Sequence, residues 1–400
     1  MPRADGVCMS DTNRGSDRQV EIFMEGMADI TPDIPPSFEE LEEAAFGAMD
    51  EKAYGYVAGG AGGERTIGHN RDAFAAWRLW PRMLRDFSER DLSTELFGTE
   101  LSAPVLLAPI GVQSIIHEAG ELGTARAAAS LDVPMVASSA SSHTMESIAE
   151  ELGETPGWFQ LYWSSNDDVA KSFVRRAESA GYEALVVTLD NNILGWRERD
   201  IRDGYLPFLD GEGVANYFSD DAFRSLLDEP PEEAELKAIR TFIDIFGDPS
   251  LTFDDLEWLC EFADIPVVVK GVLHPQDAQE CVDRGAEGVI VSNHGGRQVD
   301  NAVSALDALP HIVSKLDSEI PVLFDSGIRR GADALIALAL GADAVQLGRP
   351  YAYGLAIDGE NGIESVVKNF LADLDLTLGL IGYDDVENVD REAIVRADEL

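Results

Sequence analysis

The stretch Val289-Ile290-Val291-Ser292-Asn293-His294-Gly295-Gly296-Arg297 carries the pattern that decides the fold. A run of β-branched residues is followed at once by polar side chains and a pair of glycines, which is typical of a buried strand that leaves the core and turns. Seven further short apolar runs repeat this pattern along the chain. Together the eight runs cover residues 105–108, 134–137, 158–162, 185–189, 267–269, 289–291, 322–324 and 344–347.

Amphipathic helical stretches lie between most of these runs, and residues 166–180, 275–284 and 331–340 are the clearest of them. Strands that alternate with helices and are apolar throughout are parallel and buried on both faces. Eight such units close into a (β/α)8 TIM barrel, and we predict that α/β fold. An open doubly wound sheet is the alternative, but it would need a dinucleotide-binding glycine motif near its first strand, where the sequence has none.

We predict one barrel domain over residues 21–400, preceded by a disordered tail. Residues 1–20 are rich in Arg, Asp, Ser and Gly and lack periodicity. A helix is expected over residues 38–58, before a glycine-rich turn. The connection between the fourth and fifth strands is far longer than any other, and we place an insertion at about residues 191–255. Such an insertion either covers the active face or decorates the surface, and both interpretations stay open.

The charge balance restricts the partners of the protein. The sequence has 30 Lys and Arg against 74 Asp and Glu, a formal net charge of -44 that is spread along the chain. Such a field repels nucleic acid and anionic membranes, so we expect neither as a partner. It also favours a halophilic setting, because a salt-rich cytoplasm screens the self-repulsion.

Cysteine use and hydropathy suggest a cytoplasmic protein. Cys8, Cys260 and Cys281 are odd in number and lack metal-ligand spacing, so we expect neither disulfide bonds nor a zinc site. The chain has no apolar run of the about 18 residues that a membrane span needs, and its polar start does not look like a signal peptide. We therefore expect a soluble protein that is not exported.

Polar residues collect where catalytic side chains stand in a TIM barrel, at the carboxyl ends of the strands. From the first to the seventh strand these ends supply Pro109-Ile110-Gly111, Ser138, Gln160 with Tyr162, Thr188 with Asp190, Lys270, Ser292 with His294, and Asp325. A single polar strand end means little, because every strand must leave the core. So many together predict one concave site on the barrel rim.

Two segments that combine glycine with arginine follow the last two strands: Gly327 with Arg329, and Gly348 with Arg349. Free backbone amides, a helix N-terminus and an arginine bind a phosphate monoester, and this is its usual place in a barrel. The rest of such a ligand would lie near Lys270, whose ammonium suits the anionic reduced form of a flavin. A Schiff base on Lys270, or a lysine that extends into solvent, is the alternative.

His294 is one of six histidines and the one that stands at a strand end within a glycine-rich turn. A general base needs a partner that fixes its tautomer, and Asp190 is the candidate. Arg297 could grip a carboxylate while His294 acts on the neighbouring carbon. Arg197 is a second candidate for that grip, with a surface salt bridge as the alternative, and a phenol such as that of Tyr56 would also suit a carboxylate.

Four motifs carry a resemblance to a known family. They are Ser292-Asn293-His294-Gly295-Gly296-Arg297-Gln298, Phe159-Gln160-Leu161-Tyr162, Val269-Lys270-Gly271 and Asp325-Ser326-Gly327-Ile328-Arg329. From about residue 38 to residue 382 the chain resembles the FMN-dependent 2-hydroxy acid dehydrogenase and oxidase family. The resemblance implies FMN as the cofactor, a small 2-hydroxy acid as the substrate, and a homo-oligomer, a tetramer or larger.

The resemblance also implies a role for each matched residue. His294 would be the base, Asp190 its partner, and Lys270 would offset the charge of the reduced flavin. The substrate carboxylate would be gripped by Tyr56, Arg197 and Arg297, and its hydroxyl would be bound by Tyr162. The flavin contacts would be Pro109, Ile110, Gly111, Ser138, Gln160, Thr188, Lys270, Ser292, Asp325, Gly327, Arg329, Gly348 and Arg349.

Within the family, the chain resembles the lactate 2-monooxygenases most, in residues 56–62, 108–111, 195–197, 206–209 and 216–218 and in its long insertion. This implies oxidation of L-lactate by O2 to acetate, carbon dioxide and water. Ala140 stands where glycolate oxidases have a bulky aromatic residue, which argues against glycolate. An oxidase that releases the 2-oxo acid and H2O2, a dehydrogenase that reduces a quinone or carrier, and a flavin-binding protein without turnover are the alternatives.

Overall fold

A computed structural model of the chain describes residues 14–317 and 320–400. Its helices, α1 to α16 in chain order, are Arg14–Gly26, Phe38–Ala48, Glu51–Ala58, Arg65–Ala75, Gly120–Leu131, Met145–Leu152, Asp167–Ser179, Glu198–Asp203, Ala215–Phe218, Asp221–Arg224, Glu235–Ile245, Phe253–Phe262, Pro275–Asp283, Ala305–Leu316, Gly331–Ala339 and Arg349–Leu380. Its strands, β1 to β12, are Trp77–Leu79, Thr94–Leu96, Thr99–Leu101, Val105–Leu107, Met135–Ser138, Gly157–Leu161, Ala184–Thr188, Val267–Val272, Gly288–Val291, Val322–Phe324, Ala344–Leu347 and Ile394–Arg396.

Eight of the strands, β4 to β11, form a closed barrel in which each strand pairs with its neighbours in the chain and β11 pairs with β4. The pairs within the barrel are parallel, as in Val345 with Val105 and Leu185 with Val267. Each barrel strand overlaps one of the eight apolar runs, so the predicted (β/α)8 TIM barrel is confirmed. The runs are mostly apolar because one face of each strand packs inside the barrel and the other against the helices.

The barrel interior is filled by a separate set of buried residues to which every strand contributes, namely Leu106, Val136, Trp158, Ala184 with Val186, Val268, Ile290, Leu323 and Ala344, together with Leu96 and Leu101. Because side chains alternate along a strand, the residue two positions further on faces the same way. That step gives Ala108, Ser138, Gln160, Thr188, Lys270, Ser292, Asp325 and Gln346. These residues form a layer that is polar at seven of its eight positions and lies next to the apolar residues that fill the barrel. We name this layer the polar ring.

The insertion between β7 and β8 contains α8 to α12 and is held by aromatic packing. The rings of Phe208 and Phe242 lie 5.2 Å apart, those of Tyr217 and Phe242 4.7 Å apart, and those of Phe242 and Phe246 4.9 Å apart. Phe242 and Tyr217 are fully buried. The insertion is thus a folded unit with its own cluster of rings rather than an open loop.

The prediction of a disordered tail over residues 1–20 was wrong for residues 14–20. Helix α1 begins at Arg14, so residues 14–20 are not a disordered tail; residues 1–13 lie outside the described part of the chain. The backbone N–H of Gly15 donates to Asp375 Oδ2 at 2.8 Å, and a side chain at residue 15 would collide with α16. The contact that orders this segment is therefore tertiary, and local composition could not show it.

The helix predicted over residues 38–58 is two helices, α2 and α3. The chain leaves α2 at Met49, and the side chain of Asp50 then caps α3 by accepting a hydrogen bond from the N–H of Lys52 at 2.9 Å. A capping aspartate in the middle of a helical pattern is a start signal that the sequence did contain. No helix among the described residues is long and apolar enough to span a membrane.

Candidate active site

A cavity that opens to solvent lies at the carboxyl ends of the barrel strands. Fifteen of the predicted site residues line it, namely Tyr56, Pro109, Ile110, Gly111, Tyr162, Thr188, Arg197, Lys270, His294, Arg297, Asp325, Gly327, Arg329, Gly348 and Arg349. The other four lie behind the wall and are hydrogen-bonded, at Ser138 to Gln160, at Ser292 to Lys270 and at Asp190 to His294. The structure therefore brings all of them to one place.

The pair formed by His294 and Asp190 joins the ends of β9 and β7. His294 Nδ1 lies 2.9 Å from Asp190 Oδ1. The turn that presents the imidazole is left-handed at His294, with a φ of 58°, and its N–H donates to Ser292 Oγ at 3.0 Å. Gly271 makes room for the carboxylate, since a Cβ there would lie 2.5 Å from Asp190 Cγ. The glycine after Lys270 thus explains why Asp190 can reach the histidine.

The electrostatics of this pair favour a neutral imidazole. Burial lowers the pKa of His294 below its usual value, although the Asp190 carboxylate opposes the shift. When Nδ1–H donates to Asp190, the lone pair is on Nε2. Tyr162 Oη lies 3.5 Å from Nε2, and burial raises the pKa of its phenol, so that the phenol keeps its proton. The arrangement can accept a proton at Nε2 beside a hydroxyl donor.

Two arginines approach the same part of the cavity over the ring of Tyr56. The guanidinium carbon of Arg297 lies 4.9 Å from the ring centre and that of Arg197 5.9 Å. Arg297 donates to the carbonyls of Tyr56 and Gly59, and no carboxylate of the described residues lies within 4.0 Å of it. Burial and the charge of Arg197 lower the pKa of Arg297 to about 9. This excess of positive charge calls for an anionic ligand.

Arg197 is not the surface residue of the alternative interpretation. It is 6% exposed, although its Nη1 lies 4.0 Å from Asp200 Oδ2. Its Nη2 donates to Gln298 Oε1 at 3.0 Å and its Nε to the carbonyl of Arg297 at 3.2 Å. The insertion thus delivers Arg197 into the cavity next to Arg297.

A second positive region lies where the phosphate was predicted. Arg349 donates to the carbonyls of Val57, Gly59 and Gly295 at 3.2, 2.9 and 3.0 Å. Arg329 has a buried Nε without a hydrogen-bond partner among the described residues. Burial and the neighbouring Arg349 lower the pKa of Arg329 to about 9. Both arginines therefore suit a bound anion better than an empty apolar environment.

Lys270 lies in the polar ring between these two regions. Its Nζ donates to Ser292 Oγ at 2.9 Å and forms an ion pair with Asp325 Oδ2 at 2.9 Å. The side chain is 5% exposed, so the interpretation as a lysine that extends into solvent was wrong. Although burial opposes it, the charge of Lys270 holds the pKa of Asp325 below its usual value. The ammonium is fixed by its partners and faces the cavity.

The residues present fit FMN. Its phosphate matches Arg329 and Arg349. Its flavin ring system and its ribityl chain need donors and acceptors, which the polar ring of the barrel supplies. The Nε2 of Gln160, the Nε of Arg329 and both amide atoms of Gln346 are buried without a partner in residues 14–317 and 320–400. Groups of this kind are rare unless a ligand or water satisfies them.

Among the cavity and support residues to which the sequence analysis gave no role are Gln346, Gln298, Phe208 and Phe246. Gln346 has the same strand position as the other members of the polar ring, so a step of two from the buried Ala344 would have found it. Gln298 directly follows Arg297 and binds the start of the insertion. Phe208 and Phe246 come from the insertion and line the cavity. No local signal marks these two, because only the fold of the insertion brings them there.

Comparison with known proteins shows the family to which the chain belongs. A model of the FMN-dependent dehydrogenase family matches residues 45–396. An L-lactate oxidase of Lysinibacillus sphaericus is 42% identical over 365 residues, which are 91% of this chain and 94% of that protein. An FMN-dependent alpha-hydroxy acid dehydrogenase of Penicillium citrinum is 40% identical over 392 residues, 97% of each chain. The structure of an active mutant of (S)-mandelate dehydrogenase aligns with a TM-score of 0.80 and 37% identity, over 90% of this chain and 98% of that one.

Proposed function

The chain belongs to the FMN-dependent dehydrogenase family, and from that premise we propose that it oxidises L-lactate or a similarly small 2-hydroxy acid with O2 as the acceptor. FMN is its cofactor and 2-hydroxy acid oxidation its reaction class. We further propose that the 2-oxo acid is retained and decarboxylated, as in a lactate 2-monooxygenase. The observation that carries this second step is the insertion over the cavity.

The carboxylate of the substrate is bound by Arg297 and Arg197 in this proposal. The two guanidinium groups lie over Tyr56, and Arg297 has no carboxylate of the described residues within 4.0 Å. A substrate carboxylate supplies the missing charge and orients the neighbouring carbon. The hydroxyl on that carbon is then near Tyr162, whose phenol keeps its proton and can donate a hydrogen bond.

His294 removes a proton from the substrate in this proposal. Its lowered pKa keeps the imidazole neutral near pH 7, and Asp190 holds the tautomer that leaves Nε2 free to accept. Asp190 also stabilises the imidazolium that forms, because the carboxylate lies 2.9 Å from Nδ1. His294 is thus the general base and Asp190 its positioning partner.

FMN, when bound, accepts the two electrons that leave the substrate. Arg329 and Arg349 would hold its phosphate with the amides around Gly327 and Gly348. Thr188, Ser138, Gln160 and the loop Pro109-Ile110-Gly111 would hold its ring system. Lys270 carries a fixed positive charge in the cavity wall, where it favours the binding of an anionic form of the cofactor.

The fate of the 2-oxo acid depends on what covers the cavity. Leu194, Arg197, Phe208 and Phe246 of the insertion line it, and the ring of Phe246 lies 5.2 Å from that of Tyr162. A cover of this kind excludes water and slows release of the product. If peroxide meets the retained pyruvate, the products are acetate, carbon dioxide and water, so that lactate and O2 are balanced overall.

The test is to incubate the FMN-loaded protein with L-lactate in air and to measure O2, acetate, pyruvate and H2O2. We expect acetate in an amount equal to the O2 consumed. Pyruvate with equal H2O2 would support a lactate oxidase and overturn the retention step. Reduction of the flavin without O2 uptake would indicate a dehydrogenase with another acceptor. Failure of L-lactate and related 2-hydroxy acids to bleach the flavin would overturn the proposed function.

A further inference from the structure

Gln346 belongs to the polar ring, but it has no role in the reaction proposed above. It lies on β11, is 2% exposed, and lines the cavity. Neither its amide nitrogen nor its amide oxygen has a hydrogen-bond partner among the described residues. Of the side chains described, Gln346 is the one with both polar atoms in this state. Ser138 and Lys270, in the same ring, are by contrast hydrogen-bonded within the protein.

An amide in this state is costly for the fold. A buried donor or acceptor without a partner lowers the stability of the folded state, and an apolar side chain of the same size would avoid that loss. The neighbouring positions on β11 are apolar, Val345 and Leu347. A side chain that opposes folding at a cavity wall is typical of a group whose partner is a ligand.

The position of Gln346 indicates which part of the cofactor it meets. Gln346 precedes the phosphate segment Gly348 and Arg349 by two and three residues. On the adjacent strand β10, Asp325 precedes Gly327 in the same way. Both side chains thus line the cavity close to the predicted phosphate region, where the end of FMN that carries the phosphate would bind. The chemical group attached to that phosphate is the ribityl chain.

We infer that Gln346 binds the ribityl hydroxyls of FMN, with Nε2 as donor and Oε1 as acceptor. A hydroxyl both donates and accepts, so it can satisfy either atom of the amide. The edge of the flavin ring fits less well for two reasons. Its donors and acceptors need the amide in one fixed orientation, and it lies at the far end of FMN from the phosphate. Gln346 is therefore a cofactor-binding residue that distinguishes FMN from a flavin phosphate with a plain alkyl chain.

The experiment uses the holoenzyme and two flavins in competition. One is FMN, and the other is the analogue in which a pentyl chain replaces ribityl between the same ring and the same phosphate. The holoenzyme is equilibrated with excess of both, and the bound flavins are released and quantified. In Gln346→Met we expect the preference for FMN to fall by about tenfold from that of the unmodified protein, as for one or two lost hydrogen bonds.

The ratio of bound flavins is insensitive to a general loss of stability, because both flavins need the same folded site. Gln276→Met, at an exposed glutamine in the first turn of α13 and outside the cavity wall, is the matched control and should keep the original ratio. Gln346→Leu repeats the measurement with a different shape, in case the methionine packs badly. An unchanged preference for FMN in both variants would overturn the inference, as would an equal loss of both flavins with the ratio kept.

Discussion

The floor and the roof of the cavity are built in different ways. The floor is the polar ring with the turn that carries His294, and several of its side chains are fixed by hydrogen bonds between neighbouring strands, such as Ser138 to Gln160 and Lys270 to Ser292. The roof consists of Leu194, Arg197, Phe208 and Phe246 of the insertion, held by packed rings and by Gln298. A rigid floor suits the transfer of a proton and electrons, whereas a roof on an insertion suits capture and release. Variants of the floor should therefore change the transfer of the proton and electrons, whereas variants of the roof should change substrate capture and product release.

The largest effect is expected on the floor, from His294→Ala. Without the base, the rate of anaerobic flavin reduction by L-lactate should fall by about a thousandfold or more. The variant should still be yellow, because His294 is not among the proposed phosphate or ribityl ligands. Stopped-flow absorbance measures the rate. Reduction within tenfold of the unmodified rate would remove His294 from the mechanism.

The next largest effect is expected at Arg297, where the turn of the floor contacts Arg197 of the roof. In Arg297→Lys an ammonium cannot reproduce the fork that binds a carboxylate at two points, so KM for lactate should rise by about thirtyfold with a smaller change in kcat. Steady-state O2 uptake gives both constants. Arg284→Lys, at an arginine bound to carboxylates outside the cavity, serves as control. A fall in kcat with KM unchanged would contradict the role in carboxylate binding.

A smaller effect is expected where the roof is attached. The amide Nε2 of Gln298 donates to the carbonyl of Asp190 and to Asn191 Oδ1, both at 2.7 Å, and its Oε1 accepts from Arg197. Gln298→Met keeps the shape but loses these bonds, so KM should rise by about tenfold. If Gln298 acts through Arg197, its effect should largely disappear in an Arg197→Lys background. Fully additive effects would show that the two residues act separately.

The pH profile sharpens the account of the floor. Because burial lowers the pKa of His294 below its ordinary 6.5, the imidazole is neutral above that lowered value and takes up a proton only below it. The quantity kcat/KM should stay constant from pH 7 down past 6.5 and then fall by about tenfold for each further pH unit. A fall with its midpoint above pH 6.5 would contradict a base that is neutral through burial.

The sequence predicted the floor well and the roof poorly, for a physical reason. Barrel strands are buried on both faces, so each appears as a β-branched run, and a polar residue at its end stands out, as Thr188 and Asp325 do. Gln346 was not predicted because it lies inside the apolar run 344–347, and the glycine and arginine that follow it carry the stronger sequence signal. Phe208 and Phe246 look like ordinary core residues, and contacts between distant parts of the insertion decide that they face the cavity.

The most direct test of this division is a roof variant that leaves the base untouched. Phe208→Ala opens the cover, with Phe218→Ala as a control in the same insertion but outside the cavity wall. For each protein, anaerobic flavin reduction by L-lactate and the ratio of acetate to pyruvate formed in air are measured on one preparation. We predict that Phe208→Ala keeps the reduction rate within about threefold and lowers the acetate to pyruvate ratio by about tenfold or more. A slower reduction with an unchanged ratio would contradict the separation of floor and roof.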